Sequence, residues 1–78
     1  MNPIKEIRMN KNLNISEAAK LLDSNSFTIT NVEKGDCLKT TYLTIIRKMS
    51  LAFDDIDDAK LIKKYQDWLS ENDITVKE

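Results

Sequence analysis

The chain of 78 residues contains one glycine and one proline, and this scarcity restricts its fold more than any other feature. Sheets joined by tight turns use both residue types repeatedly, whereas the leucine, isoleucine, lysine and alanine that recur here suit helices. A body this small removes only about 60% of its unfolded surface from water, so it supports one core. The sequence therefore predicts a single compact all-α domain.

Several classes of protein require residue types that this sequence lacks. It has no histidine, which excludes a zinc finger and His-based acid/base catalysis. The single cysteine, Cys37, cannot form an intramolecular disulfide, and we assign it no role. No apolar run approaches the roughly 20 residues of a membrane span, and charges interrupt the amino end too often for a secretory signal. We therefore expect a cytoplasmic protein that is not an enzyme and uses no cofactor or metal.

Polar capping residues mark the first two expected helices. Asn2 and Pro3 suit a helix start, because asparagine caps free amides and proline at the first position loses no intrahelical bond. That helix should end by about residue 11. Asn14 and Glu17 form a capping-box pair in front of a second helix over about residues 15–22.

A third helix follows after a turn of only a few residues. Asn25 is the expected cap, and apolar positions spaced three apart predict a helix over about residues 26–34. Gly35, the one glycine, stands where a helix favours a left-handed residue after its last turn. Two short helices joined in this way predict a helix-turn-helix over residues 14–35.

Two longer helices complete an expected bundle of about five. Thr40 or Thr41 should cap the fourth. A fifth is expected over about residues 55–70, with a run of aspartates at its positive start. The domain would span residues 1–71, and the tail at 72–78 looks frayed, with Ile74 and Val76 able to form a short strand only by pairing with another segment.

Charge is divided unevenly along the chain. The overall net charge is −1, but residues 1–50 hold eight basic and five acidic side chains, a net +3. Residues 51–78 hold four basic and eight acidic side chains, a net −4. Polyanion binding, if present, therefore belongs to the amino-terminal part, and the acidic end should face away from it.

Three stretches taken together, IKEIR (4–8), LNISEAA (13–19) and ITNVEKG (29–35), resemble the Cro and phage-repressor family, also called the xenobiotic-response-element family. The resemblance covers roughly residues 3–53 and needs no gap from Leu13 to Gly35. It implies a lambda-repressor-like fold in a bacterial or phage-encoded protein. It also implies a partly buried ion pair between Arg8 and Glu33 that locks two helices together.

The resemblance further implies which side chains meet DNA. Base edges would face Ser26, Phe27, Thr30 and Asn31, and phosphates would be approached by Asn14, Ser16, Lys34 and Lys39. Asn31 suits adenine, and the Phe27 ring suits a thymine methyl group, which indicates a preference for A/T steps. Four positions depart from the family pattern. Asp23 replaces the usual turn glycine, and Phe27 stands where the family often has glutamine or arginine. Thr40 replaces a proline that is frequent before the fourth helix, and Lys48 stands near a position that is usually apolar.

The fifth helix carries more apolar surface than packing onto so small a core requires. This stripe indicates a homodimer interface formed by Leu61, Tyr65, Trp68 and Leu69. The alternative is that Tyr65 and Trp68 close the bottom of the domain.

These observations predict a sequence-specific regulator of transcription that binds double-stranded DNA, acting as a repressor through a two-fold dimer on a short operator. The alternative is a protein-interaction module, an antirepressor or antitoxin with a degenerate helix-turn-helix. An exposed Phe27 and the absence of basic residues between Asn25 and Val32 would also suit a protein partner.

Overall fold

The computed structural model describes residues 1–77, and those residues form the all-α bundle that the composition predicts. Its five helices are α1 (Pro3–Asn10), α2 (Ile15–Leu21), α3 (Ser26–Lys34), α4 (Lys39–Ala52) and α5 (Asp58–Glu71). They pack into a body of 28 × 24 × 20 Å. None of the helices within residues 1–77 has the length and apolar character needed to cross a bilayer.

Asparagine side chains cap the first three helices at the expected positions. Asn2 accepts hydrogen bonds from two amides of the first turn of α1. At α2, Asn14 and Glu17 form a reciprocal capping box. Asn25 accepts from the third residue of α3, and Gly35 ends that helix with a φ of 79°. Local sequence therefore sets these boundaries.

The starts of α4 and α5 correct the sequence expectation. Neither Thr40 nor Thr41 caps α4, which begins earlier with Leu38 as its N-cap residue and without a side-chain cap. The Lys39 amide instead donates to a carbonyl of the carboxy-terminal tail, which local sequence does not indicate. The α5 helix begins three residues later than expected, because Asp57 caps it by accepting from the amide of Lys60.

The core is one cluster to which all five helices contribute. Its buried members are Ile4, Ala19, Leu22, Ile29, Val32, Tyr42, Ile45, Ile46, Met49, Leu61, Tyr65 and Leu69. The three residues of α5 in this set lie inside the single chain, and Trp68 packs against the cluster half-buried. Leu61, Tyr65 and Leu69 therefore have almost no exposed surface left to offer a second copy, and their burial gives no support to the homodimer interface expected on this helix.

The carboxy-terminal tail packs against the domain instead of fraying. Ile74 and Val76 are half-buried against the core. Thr75 and Lys77, which alternate with them, are exposed. A parallel bridge joins Leu38 to Lys77, and the amide of Lys39 donates to the carbonyl of Lys77 at 2.9 Å. The pairing partner that the tail needs is thus the loop before α4. Residue 78 of the expected tail lies outside the described residues.

Candidate nucleic-acid interface

The turn between α2 and α3 is short, and a hydrogen bond from a lysine of α4 holds its backbone. Asp23 has a φ of 49°, so it occupies the left-handed conformation, which glycine adopts most readily. Aspartate tolerates this conformation better than most residues with a side chain. Lys48 of α4 donates from Nζ to the Asp23 carbonyl oxygen at 3.0 Å. Asp23 and Lys48 therefore meet at one turn.

The α3 helix has one buried face and one outer face. Ile29 and Val32 are buried in the core. Helical spacing places the opposite face at Ser26, Phe27, Thr30, Asn31 and Lys34. Within that face Ser26, Phe27 and Lys34 are exposed, whereas Thr30 and Asn31 are half-buried. The four predicted base-contacting residues thus share one side of one helix.

An ion pair ties α1 to the last turn of α3. Arg8 donates to the two carboxylate oxygens of Glu33, from Nε at 2.6 Å and from Nη2 at 3.1 Å. Its Nη1 also donates to the Leu13 carbonyl oxygen at 2.8 Å. Both side chains are largely buried, with 12% and 8% exposure. The hydrogen bond to Glu33 raises the pKa of Arg8, and the planar fork fixes the angle between the helices.

A second anchor holds the same end of α3 through the carbonyl oxygen of Val32. The Nδ2 of Asn2 donates to it at 3.1 Å, and the hydroxyl of Tyr65 donates to it at 2.7 Å. All three residues are buried. Helix α3 is therefore connected at this carbonyl both to the amino end of the chain and to α5. No local pattern in the sequence indicates these bonds, because each joins two residues that lie far apart in the chain, 30 positions for Asn2 and 33 for Tyr65.

The missing side chain of Gly35, at the end of α3, leaves space for the tail and for Trp68 of α5. A Cβ atom at this residue would lie 2.9 Å from Cδ1 of Ile74 and 3.0 Å from Cζ3 of Trp68. From the sequence, Gly35 was expected only to take a left-handed backbone conformation after the last turn of α3. The structure adds a second requirement, since the missing side chain leaves the space that the tail fills.

Of the four predicted phosphate-contacting residues, Lys34 lies on the outer face of α3, and the other three lie before or after that helix in the chain. Ser16 and Lys34 are exposed. The side chain of Asn14, also exposed, already accepts from the Glu17 amide in the capping box. Lys39 is half-buried at the first position of α4, a helix start without a side-chain cap. The amide of Lys39 already donates to the Lys77 carbonyl oxygen, so any contact of this residue with phosphate would be made by its side chain.

Cys37 lies beside the anchoring tyrosine instead of on the outer face of α3. Its Sγ atom is 3.6 Å from the hydroxyl of Tyr65. Burial raises the pKa of the Cys37 thiol and that of the Tyr65 phenol. Both groups therefore stay protonated at neutral pH, which suits a structural contact and not a nucleophile.

Comparisons of the chain with protein-family models, with curated proteins and with solved structures gave no match. Function is therefore inferred from the chain's own residues and from the motif they form.

Proposed function

We propose that this chain binds double-stranded DNA sequence-specifically by placing the outer face of α3 in the major groove. The observation that carries the proposal is the geometry of α2 and α3, two short helices joined by a tight turn with the side chains of the second facing outward. An α-helix fits the major groove, and residues near its amino end contact base edges. The rigid attachment of α3 to α1 and α5 supports this role, because base recognition needs a fixed helix.

The outer face of α3 offers hydrogen-bonding groups instead of positive charge. Asn31 can pair with adenine through its amide, and Ser26 and Thr30 can donate to or accept from base edges. Lys34 is the one charged residue among the five on this face. Glu33 follows on the buried side, where Arg8 neutralises it. Affinity then comes from Lys34, Lys39, backbone amides and the net positive charge of residues 1–50.

A transcriptional repressor is the biological role that we propose for such a domain. A protein of this size occupies a single half-site, and a two-fold dimer would span two half-sites about one helical turn apart. The interface of that dimer lies outside the buried residues of α5. Bound across a promoter, the dimer excludes polymerase.

The test is fluorescence anisotropy with a labelled random-sequence duplex at several salt concentrations. The logarithm of the binding constant should fall linearly with the logarithm of the salt concentration, because bound lysines release counterions. Lys34→Ala should reduce that slope by about 1. Lys63→Ala removes an exposed lysine of α5 and is the matched control; it should leave the slope unchanged. A salt-independent signal, or equal effects of both variants, would contradict DNA binding through α3.

Binding to a protein partner is the second candidate function, and the exposed apolar side chains favour it. Phe27 is 76% exposed and Leu51 is 87% exposed. An antirepressor or antitoxin would use such residues to bind its target. Under this alternative the salt series shows no DNA binding, and Phe27→Ala has no effect on any DNA interaction.

A further inference from the structure

Phe27 differs in its surroundings from every other aromatic side chain of the protein. The chain has five such residues. Four of them are buried in the core or packed against it, namely Tyr42, Phe53, Tyr65 and Trp68. The Phe27 ring is instead 76% exposed. Folding therefore gains little from this ring, and its contribution lies at the surface.

The position of Phe27 within α3 determines what such a ring can contact. It is the second residue of the helix, in the turn that meets base edges when a recognition helix enters the major groove. Its neighbours on the outer face, Ser26, Thr30 and Asn31, are uncharged and supply the hydrogen-bonding groups. A phenyl ring has neither donor nor acceptor. Its complement in the groove must therefore be apolar, and the base pairs present one apolar group there, the C5-methyl of thymine.

We propose that Phe27 determines specificity by contacting the C5-methyl group of a pyrimidine in the major groove. This inference rests on the proposed DNA binding. Unmodified DNA supplies this methyl group on thymine, and methylated DNA supplies it at the same place on 5-methylcytosine. Removing one buried methyl group costs about 0.8 kcal/mol, which corresponds to about a fourfold loss of affinity. One contact of this kind thus separates thymine from uracil by about fourfold.

The experiment begins with selection of duplexes from a random-sequence library by the wild-type protein. Each thymine of a selected duplex is then replaced singly by uracil, which lacks only the methyl group. Wild-type binding should weaken about fourfold at one position of each half-site and little elsewhere. Phe27→Ala should bind the thymine and uracil duplexes equally at that position. Leu51→Ala, which removes another exposed apolar side chain, should retain the full difference.

A second pair of duplexes distinguishes the two sources of the methyl group. Cytosine and 5-methylcytosine, each paired with guanine, are placed at the position that responds to uracil. If the ring contacts the methyl group alone, wild type should bind the 5-methylcytosine duplex about fourfold more tightly than the cytosine duplex. Phe27→Ala should bind the two duplexes equally. Restoration supports recognition of either methylated pyrimidine. Its absence overturns the 5-methylcytosine part and confines the contact to thymine.

The two proposals fail in different ways. If wild type enriches no duplex and binds none, DNA binding itself is wrong, and the methyl contact falls with it. If wild type binds DNA but uracil has no effect at any position, only the methyl contact is wrong. If the uracil effect persists in Phe27→Ala, methylation acts through duplex shape and the contact is also overturned. Circular dichroism of Phe27→Ala checks that the fold is retained.

Discussion

Two residues that meet at the carboxyl end of α3, Gly35 and Asn2, each have two structural roles, and the sequence indicates only one of them. Gly35 was predicted as a left-handed cap, yet its missing side chain also makes room for Ile74 and Trp68. Asn2 was predicted as a cap of α1, yet its amide nitrogen also donates to Val32. In each case one function follows from the neighbouring sequence. The other depends on a segment 30 or more positions away, which no local pattern reveals.

We expect Gly35→Ala to lower the free energy of unfolding by more than its backbone strain alone. A left-handed residue with a side chain costs about 1–2 kcal/mol, and the new Cβ would also press on Ile74. Urea denaturation measures the loss. Adding Ile74→Ala should relieve the part of the steric cost that Ile74 causes, so the double variant should be more stable than the sum of the two single losses implies. Strict additivity would contradict the contact.

Glu33→Gln should destabilise the domain by about 3–5 kcal/mol, because it leaves the buried guanidinium of Arg8 without a counter-charge. Replacing both partners, as Arg8→Met with Glu33→Leu, should recover most of the loss. Asp67→Asn breaks the exposed pair between Lys63 and Asp67 and serves as the control, with very little expected change. A similar loss for Glu33→Gln and Asp67→Asn would contradict a buried structural pair.

The thiol of Cys37 should titrate above its ordinary pKa. Burial is the main cause, and it is only partly offset by the hydrogen bond with Tyr65. A raised pKa in the folded state stabilises the fold below the unfolded-state pKa, and this contribution is lost as the pH rises through the folded-state value. Iodoacetamide alkylation against pH should show a midpoint above that of the urea-unfolded chain. An equal or lower midpoint would contradict a protonated, half-buried thiol.

Among the elements, all five helices were predicted, but only those with asparagine caps were predicted with the correct start. Asn14 and Asn25 each act on an amide three residues away, so the sequence contains the whole signal for the starts of α2 and α3. The start of α4 depends instead on the backbone of Lys77. The role of α5 stayed open for a related reason: a hydrophobic stripe does not show whether its partner is the same chain or a second copy.

The buried apolar residues of α5 should support the single domain and not its assembly. Leu69→Ala should cost about 2–5 kcal/mol in unfolding free energy, as expected for truncation of a buried leucine. Sedimentation velocity should give the same oligomeric state as wild type under native conditions. Leu51→Ala, at an exposed position, is the stability control. A dissociated but fully stable Leu69→Ala protein would restore the interface first expected on this helix.

At the scale of the whole molecule, both ends of the chain meet at the carboxyl end of α3. Asn2 reaches Val32 from the amino end, and Ile74 covers Gly35 from the tail. The helix that we propose for base recognition is therefore held by its own ion pair and by both termini. Sequence reasoning located this helix and its outer face, but the long-range contacts that fix its orientation emerged only from the fold.

This arrangement predicts that the tail stabilises the start of α4. Ile74 and Val76 are each half-buried, so together they bury about as much as one aliphatic side chain, which is worth about 1.5–3 kcal/mol. Ile74→Ser with Val76→Ser should lower the unfolding free energy by that amount. Hydrogen exchange of the Lys39 amide, which donates to Lys77, should accelerate more than exchange within α2. Thr75→Ala, at the exposed position between them, should change neither quantity. Unchanged Lys39 exchange in the double variant would mean that α4 keeps its start without the tail, and Lys39 would then be positioned for phosphate by α4 alone.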